Sequence, residues 1–331
     1  MKDNYDVVVV GGGAAGLSAA LTLSRARRSV LVIDAGEPRN APAQHVHNYL
    51  GREGAPPGEL LAAGRSEVTG YGGEVVFGSV VSALVMSEGG GLRVVLAEGK
   101  AVTARRLLVT TGLVDELPDV PGVAERWGRE VLHCPYCHGW EVRDQAIGVL
   151  ARGSLGPHLA LLFRQWSADV TLFQHDAPAP SPDEQEQLAA RGIPLVEGEV
   201  AALEVTDDKL TGVRLRSGRV IPRRAVVVSP RFNARADVLA SLGLEPVEQQ
   251  FGDQVIGSYV PADPMGATAV PGVWVAGNVA DLHAPVIASA AAGLKTAAAI
   301  NADLIAEDTR RAVAAAATKR SSSAPSVAAK V

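Results

Sequence analysis

Short unbroken apolar runs and longer small-residue amphipathic stretches alternate along the chain. DVVVV (6–10), SVLVID (29–34) and QAIGVLA (145–151) are β-branched or apolar throughout, which predicts parallel strands buried on both faces. LSAALTLSRA (17–26) lies between the first two and predicts a helix, giving a strand–turn–helix–strand unit. EVVFGSVVSALVM (74–86), GLRVVLAEG (91–99) and AVTARRLLVTTG (101–112) alternate more weakly and predict a β-meander. VEGEVAALEV (196–205), GVRLRSGRVI (212–221) and AVVVSPR (225–231) predict further strands. LPDVPG (117–122) reads as a Pro/Gly crossing between units. GVWVAGN (272–278) predicts a last buried strand and a turn, followed by a long small-residue helix opening at Pro285, where proline suits a first turn. From about Asp308, through KRSSSAPS, the pattern predicts a frayed helix and then disorder.

The turn of the first unit is Gly11-Gly12-Gly13-Ala14-Ala15-Gly16, a G-x-G-x-x-G in its full strand–turn–helix context. Gly11 makes the tight turn, Gly13 admits a pyrophosphate to the backbone, and Gly16 lets the helix pack on the strand. The pyrophosphate would sit on the helix N-terminus, with Ala14 and Ala15 in its first turn. Asp34 and Ala35 follow the second strand, and the Asp34 carboxylate can accept from ribose hydroxyls. The pattern then repeats. Ala151-Arg152-Gly153-Ser154-Leu155-Gly156 aligns under Gly11–Gly16, and PHLALLFRQWSADVTLFQ (157–174) aligns without a gap under LSAALTLSRARRSVLVID (17–34). In this copy the first glycine is Ala151 and the acid position is Gln174.

A chain of 331 residues carrying two such units is expected to hold two domains. The composition is globular, 47% hydrophobic and 20% charged. A formal net charge of −5 argues against nucleic acid or an anionic membrane as the main partner. No apolar run is long enough to span a bilayer, and MKDNYDVVVVGGG lacks the form of a secretory signal, so a cytoplasmic setting is expected.

Both cysteines of the chain lie in HCPYCHGW (133–140). Cys134-x-x-Cys137-His138 has the form of a c-type haem attachment site; His133, Cys134, Cys137 and His138 also compose a metal cluster; and C-x-x-C alone is a redox dithiol. Covalent haem normally accompanies export. Structural zinc usually joins two separated knuckles, and no second knuckle is present. In a reducing compartment a close cysteine pair points first to redox chemistry, with inert buried thiols as the plain alternative.

The G-x-G-x-x-G with its acid, the segment Thr110-Thr111-Gly112, the C-x-x-C just before a second nucleotide unit, and the late Ala276-Gly277-Asn278 ahead of a helix occur in one order. Over about residues 5–305 this resembles the low-molecular-weight thioredoxin reductases of the pyridine-nucleotide–disulfide oxidoreductases. The resemblance implies an α/β fold with two Rossmann-like, three-layer ββα nucleotide-binding domains, the second inserted into the first. FAD would occupy a discontinuous domain, 1–115 and 245–331, and residues 116–244 would carry the dithiol. The cofactor residues would be Gly11, Gly13, Ala14, Ala15, Gly16, Asp34, Ala35, Thr111, Gly112, Gly277, Asn278, Pro285 and Val286, with Arg39 and Asn40 near the adenosine half. Cys137 would face the flavin and Cys134 would exchange with substrate. A homodimer is the family expectation.

Several residues depart from the reductase pattern. CPYCHG replaces the usual CATCDG, placing His138 where an acid/base aspartate stands, and Asn278 replaces an aspartate. Pro285 stands where a backbone N–H usually meets the flavin, and proline has none. After Gln174, His175 and Asp176 no arginine follows until Arg191, so the clamp for the NADPH 2′-phosphate is missing and NADPH use is doubtful; Arg152 and Arg164 are the nearest replacements. These features look more like the flavin-dependent dithiol oxidases of the holomycin and gliotoxin type, which close disulfides in small molecules and pass electrons to molecular oxygen. By that likeness Cys134 and Cys137 are catalytic. His138, beside them, is the candidate base, with a solvated turn residue as the plain alternative, and His133 orients the turn. His45 and His47 border the cleft or belong to a plain loop, and Tyr136 and Trp140 pack near the dithiol or serve only as core. An NADPH-dependent reductase of thioredoxin, a thioredoxin-like protein or a small disulfide is the second reading. A flavin-bound redox sensor without turnover is the third.

Overall fold

The computed structural model describes residues 1–87 and 90–322. The apolar runs become the buried strands of two α/β units. In the first, the strands run in the order Glu74–Phe77, Val30–Asp34, Asn4–Val10, Ala101–Val109, Leu92–Leu96, Val80–Val85. Val7, Val8 and Val9 are fully buried, as strands covered on both faces require. Glu74–Phe77 pairs in parallel with Val30–Asp34 rather than joining the meander, so the meander is Val80–Val85, Leu92–Leu96 and Ala101–Val109 alone. The last of these forks. Its first half pairs with Leu92–Leu96, and its second half pairs in parallel with Val273–Val275.

The second unit is an all-parallel sheet in the order Leu195–Val196, Val170–Phe173, Ile147–Leu150, Ala225–Val227, Val131–Leu132. A three-stranded antiparallel sheet, Val200–Thr206, Lys209–Leu215 and Val220–Pro222, packs with it. The internal repeat is thus a repeat of structure: Val30–Asp34 and Val170–Phe173 hold equivalent places beside Asn4–Val10 and Ile147–Leu150. Where the chain leaves the first unit and where it returns, Leu113–Glu116 and Arg231–Ala234 run side by side, antiparallel, in a four-stranded sheet completed by Gln254–Tyr259 and Val247–Phe251.

The long helix Val286–Ser322 starts one residue after Pro285, whose carbonyl accepts from the Ser289 N–H (2.9 Å). It packs on the first helix, Ala14–Arg25, through Gly293. A β-carbon there would run into the Ala15 backbone. The helix does not fray at Asp308, because Arg28 and Arg105 both bind that carboxylate (2.8 and 2.5 Å) and Arg106 binds Asp303 and Glu307 (2.5 and 2.8 Å). The end of the expected disordered tail, 323–331, lies outside the described residues. No helix among them is long and apolar enough to cross a membrane.

Candidate active site

The first glycine-rich turn, the dithiol and the two crossing strands open onto one cavity of about 1460 Å³. Gly11 has φ +102°, and a β-carbon there would meet the Thr110 carbonyl oxygen at 2.5 Å. Gly16 lies so close to the Gly11 carbonyl that no side chain fits, which is the helix–strand packing its place in the motif demands. Gly13 faces open space, with no atom within 4 Å of where its β-carbon would be. Asp34 is fixed by the Gly12 N–H on Oδ1 (3.0 Å), and its carboxylate lies against Gly12 so closely that this position is also restricted to glycine. Gly12 is a free position of the G-x-G-x-x-G pattern, so nothing in the motif itself marks it.

Ala14, Ala15, Ala35, Thr111, Gly112, Gly277, Asn278, Pro285, Val286, Arg39 and Asn40 all line the same cavity. Gly16 is buried behind the turn rather than facing it. Asn278 donates both amide hydrogens, to the carbonyls of Asp281 (2.9 Å) and Ala284 (3.0 Å). An aspartate would set its carboxylate against those two carbonyls, so the asparagine belongs to this turn. Four arginines line the cavity. Arg39 pairs with Asp115, Arg152 with Glu116 and Arg231 with Glu248. The Arg235 guanidinium alone has no partner among the described residues. Its backbone is tied to the Thr-Gly segment on both sides: Arg235 N–H donates to the Gly112 carbonyl (3.0 Å), and Thr111 Oγ1 donates to the Arg235 carbonyl (2.5 Å).

Cys134 and Cys137 are joined as a disulfide at the start of the one-turn helix Pro135–His138. Cys134 is its N-cap, and Cys134 Sγ accepts from the Cys137 N–H (3.2 Å). The helix rests on Trp166: the Tyr136 ring meets the indole edge-on at 5.7 Å, and a β-carbon on Gly139 would strike it. His138 lines the cavity beside the cysteines, and burial lowers its pKa, opposed by Glu141 and reinforced by His47. The ring is therefore a neutral imidazole at neutral pH, able to take a proton. His133 is packed between Trp127 (5.7 Å) and Phe232 (5.5 Å). Burial, with the Arg39 cation, lowers its pKa to about 4.

His45 and His47 line the cavity. His47 places Nδ1 2.6 Å from Glu53 and Nε2 3.4 Å from Glu141, and Asn48 Nδ2 donates to the Tyr136 carbonyl (2.6 Å), so this loop straps the dithiol helix. Trp140 does not join the cleft. It is exposed, with the Arg143 guanidinium 4.1 Å above its ring. Trp127, Phe232, His283 and Asp115 also line the cavity and carried no signal in the sequence. Each stands alone in its segment, and only the crossing of the two connecting strands brings them together.

The second glycine-rich turn has kept its fold and lost its groove. The space between Ala151, Gly153, Gln174 and the loop at Pro178–Pro180 is about 40 Å³. Gln174 donates to the Ala177 carbonyl (3.2 Å), which draws that loop over the turn. Gln254 presses on Gly153 and donates to the Arg152 carbonyl (3.1 Å). The arginines that could replace the missing phosphate clamp are engaged, Arg152 by Glu116 and Arg164 by the Arg191 and Ser167 carbonyls.

Residues 5–300 match the family model described as pyridine nucleotide-disulphide oxidoreductase. The chain belongs to that family. It is a flavin-dependent oxidoreductase acting on a disulfide or dithiol pair, with FAD as cofactor. The open cradle at Gly13, the anchored Asp34 and the unpaired Arg235 fit such a dinucleotide. Among solved structures the chain is similar to HlmI, with a TM-score of 0.89 and 46% identity over 96% of this chain and 98% of that one. It is also similar to an oxidoreductase from Agrobacterium tumefaciens, with a TM-score of 0.84 and 35% identity over 91% and 99%. Among curated relatives, the thioredoxin reductase aclD of Aspergillus oryzae is 31% identical over 83% of this chain and 88% of its own.

Proposed function

We propose that this family member is a FAD-dependent dithiol oxidase that closes a disulfide in a small molecule and uses oxygen as the electron acceptor. One observation carries the reading: the dithiol shares a cavity of about 1460 Å³ with the intact glycine-rich turn, while the second nucleotide groove is reduced to about 40 Å³. The FAD domain would comprise residues 1–115 and the described chain from the returning strand Arg231–Ala234 onward, with 116–230 as the inserted dithiol domain. A return at 245 is too late, because Val238, Leu239 and Leu244 pack in the core of the first sheet and Ser241 bonds to Ala83. Asp34 would accept from the adenosine ribose, and Gly11–Gly16 and the first-helix N-terminus would hold the pyrophosphate.

His138 takes the proton of a substrate thiol, and the thiolate attacks Cys134, releasing Cys137 as thiolate. The second substrate thiol displaces Cys134, so two electrons and two protons leave the substrate and the cysteines become a dithiol. The N–H that Cys134 Sγ accepts stabilises its thiolate and so favours its departure in this second displacement. Bound FAD supplies the two-electron acceptor through which the disulfide is restored, and oxygen takes the pair to give hydrogen peroxide.

The likeness to a protein named thioredoxin reductase makes an NADPH-dependent reductase the second reading. Anaerobic titration of the yellow protein separates the two. A dithiol is expected to bleach the flavin rapidly and NADPH to leave it oxidised, with hydrogen peroxide formed on admitting air. Rapid bleaching by micromolar NADPH would favour the reductase, and a single stoichiometric oxidation without turnover would favour a sensor.

A further inference from the structure

The second unit has lost its own groove, but the start of its helix Gly156–Phe163 has gained a different surface. Arg152, Leu155 and Leu159 face the large cavity together with Tyr136 and the cysteines. The same unit carries the dithiol, since Trp166, just beyond this helix, supports Tyr136 and Gly139. Phe251 lines the cavity from the strand Val247–Phe251 of the first unit. Tyr136 and Phe251 are large apolar rings left 66% and 56% exposed, and Leu155 and Leu159 are half-buried. Arg152, the cation among them, is neutralised by Glu116 at 3.1 Å. The cavity also exceeds the roughly 300–1,000 Å³ typical of a single small-ligand site. An extended dinucleotide along the first turn leaves room beside the dithiol.

We infer that this relic of a nucleotide site is the substrate's seat. Leu155, Leu159, Tyr136 and Phe251 bind the non-reacting body of a compact, neutral, apolar dithiol and hold its thiols at Cys134. The ligand class follows from the wall, which offers apolar area with its one cation paired, and whose other basic side chain, His158, is exposed to solvent at the edge. The inference rests on the oxidase reading and names the substrate class for it.

The test compares two probe dithiols, hydrophilic dithiothreitol and apolar dihydrolipoamide, as a ratio of kcat/KM in air. Wild type should favour dihydrolipoamide. Leu155→Asp, which sets a charge on the wall, should lower the ratio by about 10-fold or more, through KM. Phe251→Ala, at an exposed position where folding is not at risk, should lower it in the same direction by less. A ratio unchanged in both variants, or a wild type that favours dithiothreitol, overturns the inference and leaves the oxidase reading standing. Failure of wild type to oxidise either dithiol overturns both.

Discussion

Arg39 and Asp115 form a two-pronged ion pair in the cavity wall, Nε to Oδ2 at 2.7 Å and Nη2 to Oδ1 at 2.6 Å. The Asp115 carboxylate is only 8% exposed, and the Arg39 guanidinium lies 5.3 Å from the Phe232 ring centroid. The pair joins the loop after the second strand to the connecting strand Leu113–Glu116. Asp115→Asn keeps the shape and removes the charge, leaving Arg39 unpaired beside an aromatic face. Because Arg39 is partly solvated, the cost should be about 2 kcal/mol, below that of a fully buried pair. Urea denaturation should show a lower midpoint with an unchanged slope. An unchanged midpoint would mean the pair contributes nothing net.

The cysteines have unequal roles in the proposed chemistry. Cys137→Ser leaves Cys134 as a free thiol, which should open the oxidised, cyclic-disulfide form of the probe to a mixed disulfide, seen in intact mass as the added mass of one probe molecule. Cys134→Ser should give no such adduct. Both variants should lose steady-state turnover. Adduct on the Cys134→Ser protein instead would reverse the assignment.

His138→Asn should slow oxidation roughly 10²-fold if the imidazole is the base. Burial lowers the folded-state pKa, so the neutral, proton-accepting form persists below the ordinary value near 6.5. The acid limb of kcat should therefore lie below pH 6.5 and disappear in the variant. A limb at or above pH 7 that survives the substitution would exclude this base.

Among the described residues, the Arg235 guanidinium has no partner, and it lines the cofactor cavity. Arg235→Gln should weaken FAD binding to apoprotein about 10-fold, measured by quenching of flavin fluorescence, and should flatten the dependence of Kd on salt. Equal affinity and equal salt dependence would show that the guanidinium does not meet the cofactor.

His133 ties stability to pH. Its folded pKa near 4 lies below the unfolded value of about 6.5, so between these values only the unfolded chain takes up the proton. The contribution is complete above pH 6.5 and is lost as pH falls toward 4, by up to about 3 kcal/mol. His133→Phe should flatten the denaturation profile across that window. An unchanged slope would place the titration elsewhere.

The sequence was most readable where the physics is local. A turn that needs glycine, β-branched strands buried on both faces and a repeat without gaps specify both units and the residues on the first turn. The departures at Gln174 and Asn278 were legible as letters but not as geometry. Only the fold shows Gln174 drawing a loop over its turn and Asn278 donating to two carbonyls. Trp127, Phe232, Asp115 and Arg235 were invisible because distant crossings of the chain assemble them. The position of Glu74–Phe77 was missed because an edge strand joining in parallel has the same apolar pattern as one joining a hairpin.

The forked strand Ala101–Val109 also sets an order of events during synthesis. Its second half waits for Val273–Val275, and the first helix waits for the C-terminal helix that packs on Gly293. The sheet Val131–Val227 draws all its strands from an uninterrupted stretch and can close while the remainder is still on the ribosome. The dithiol support is thus ready first. The flavin unit stays an incomplete sheet with an unpaired half-strand until residue 275 has emerged, and through that interval this edge is the nascent chain's point of exposure to mispairing.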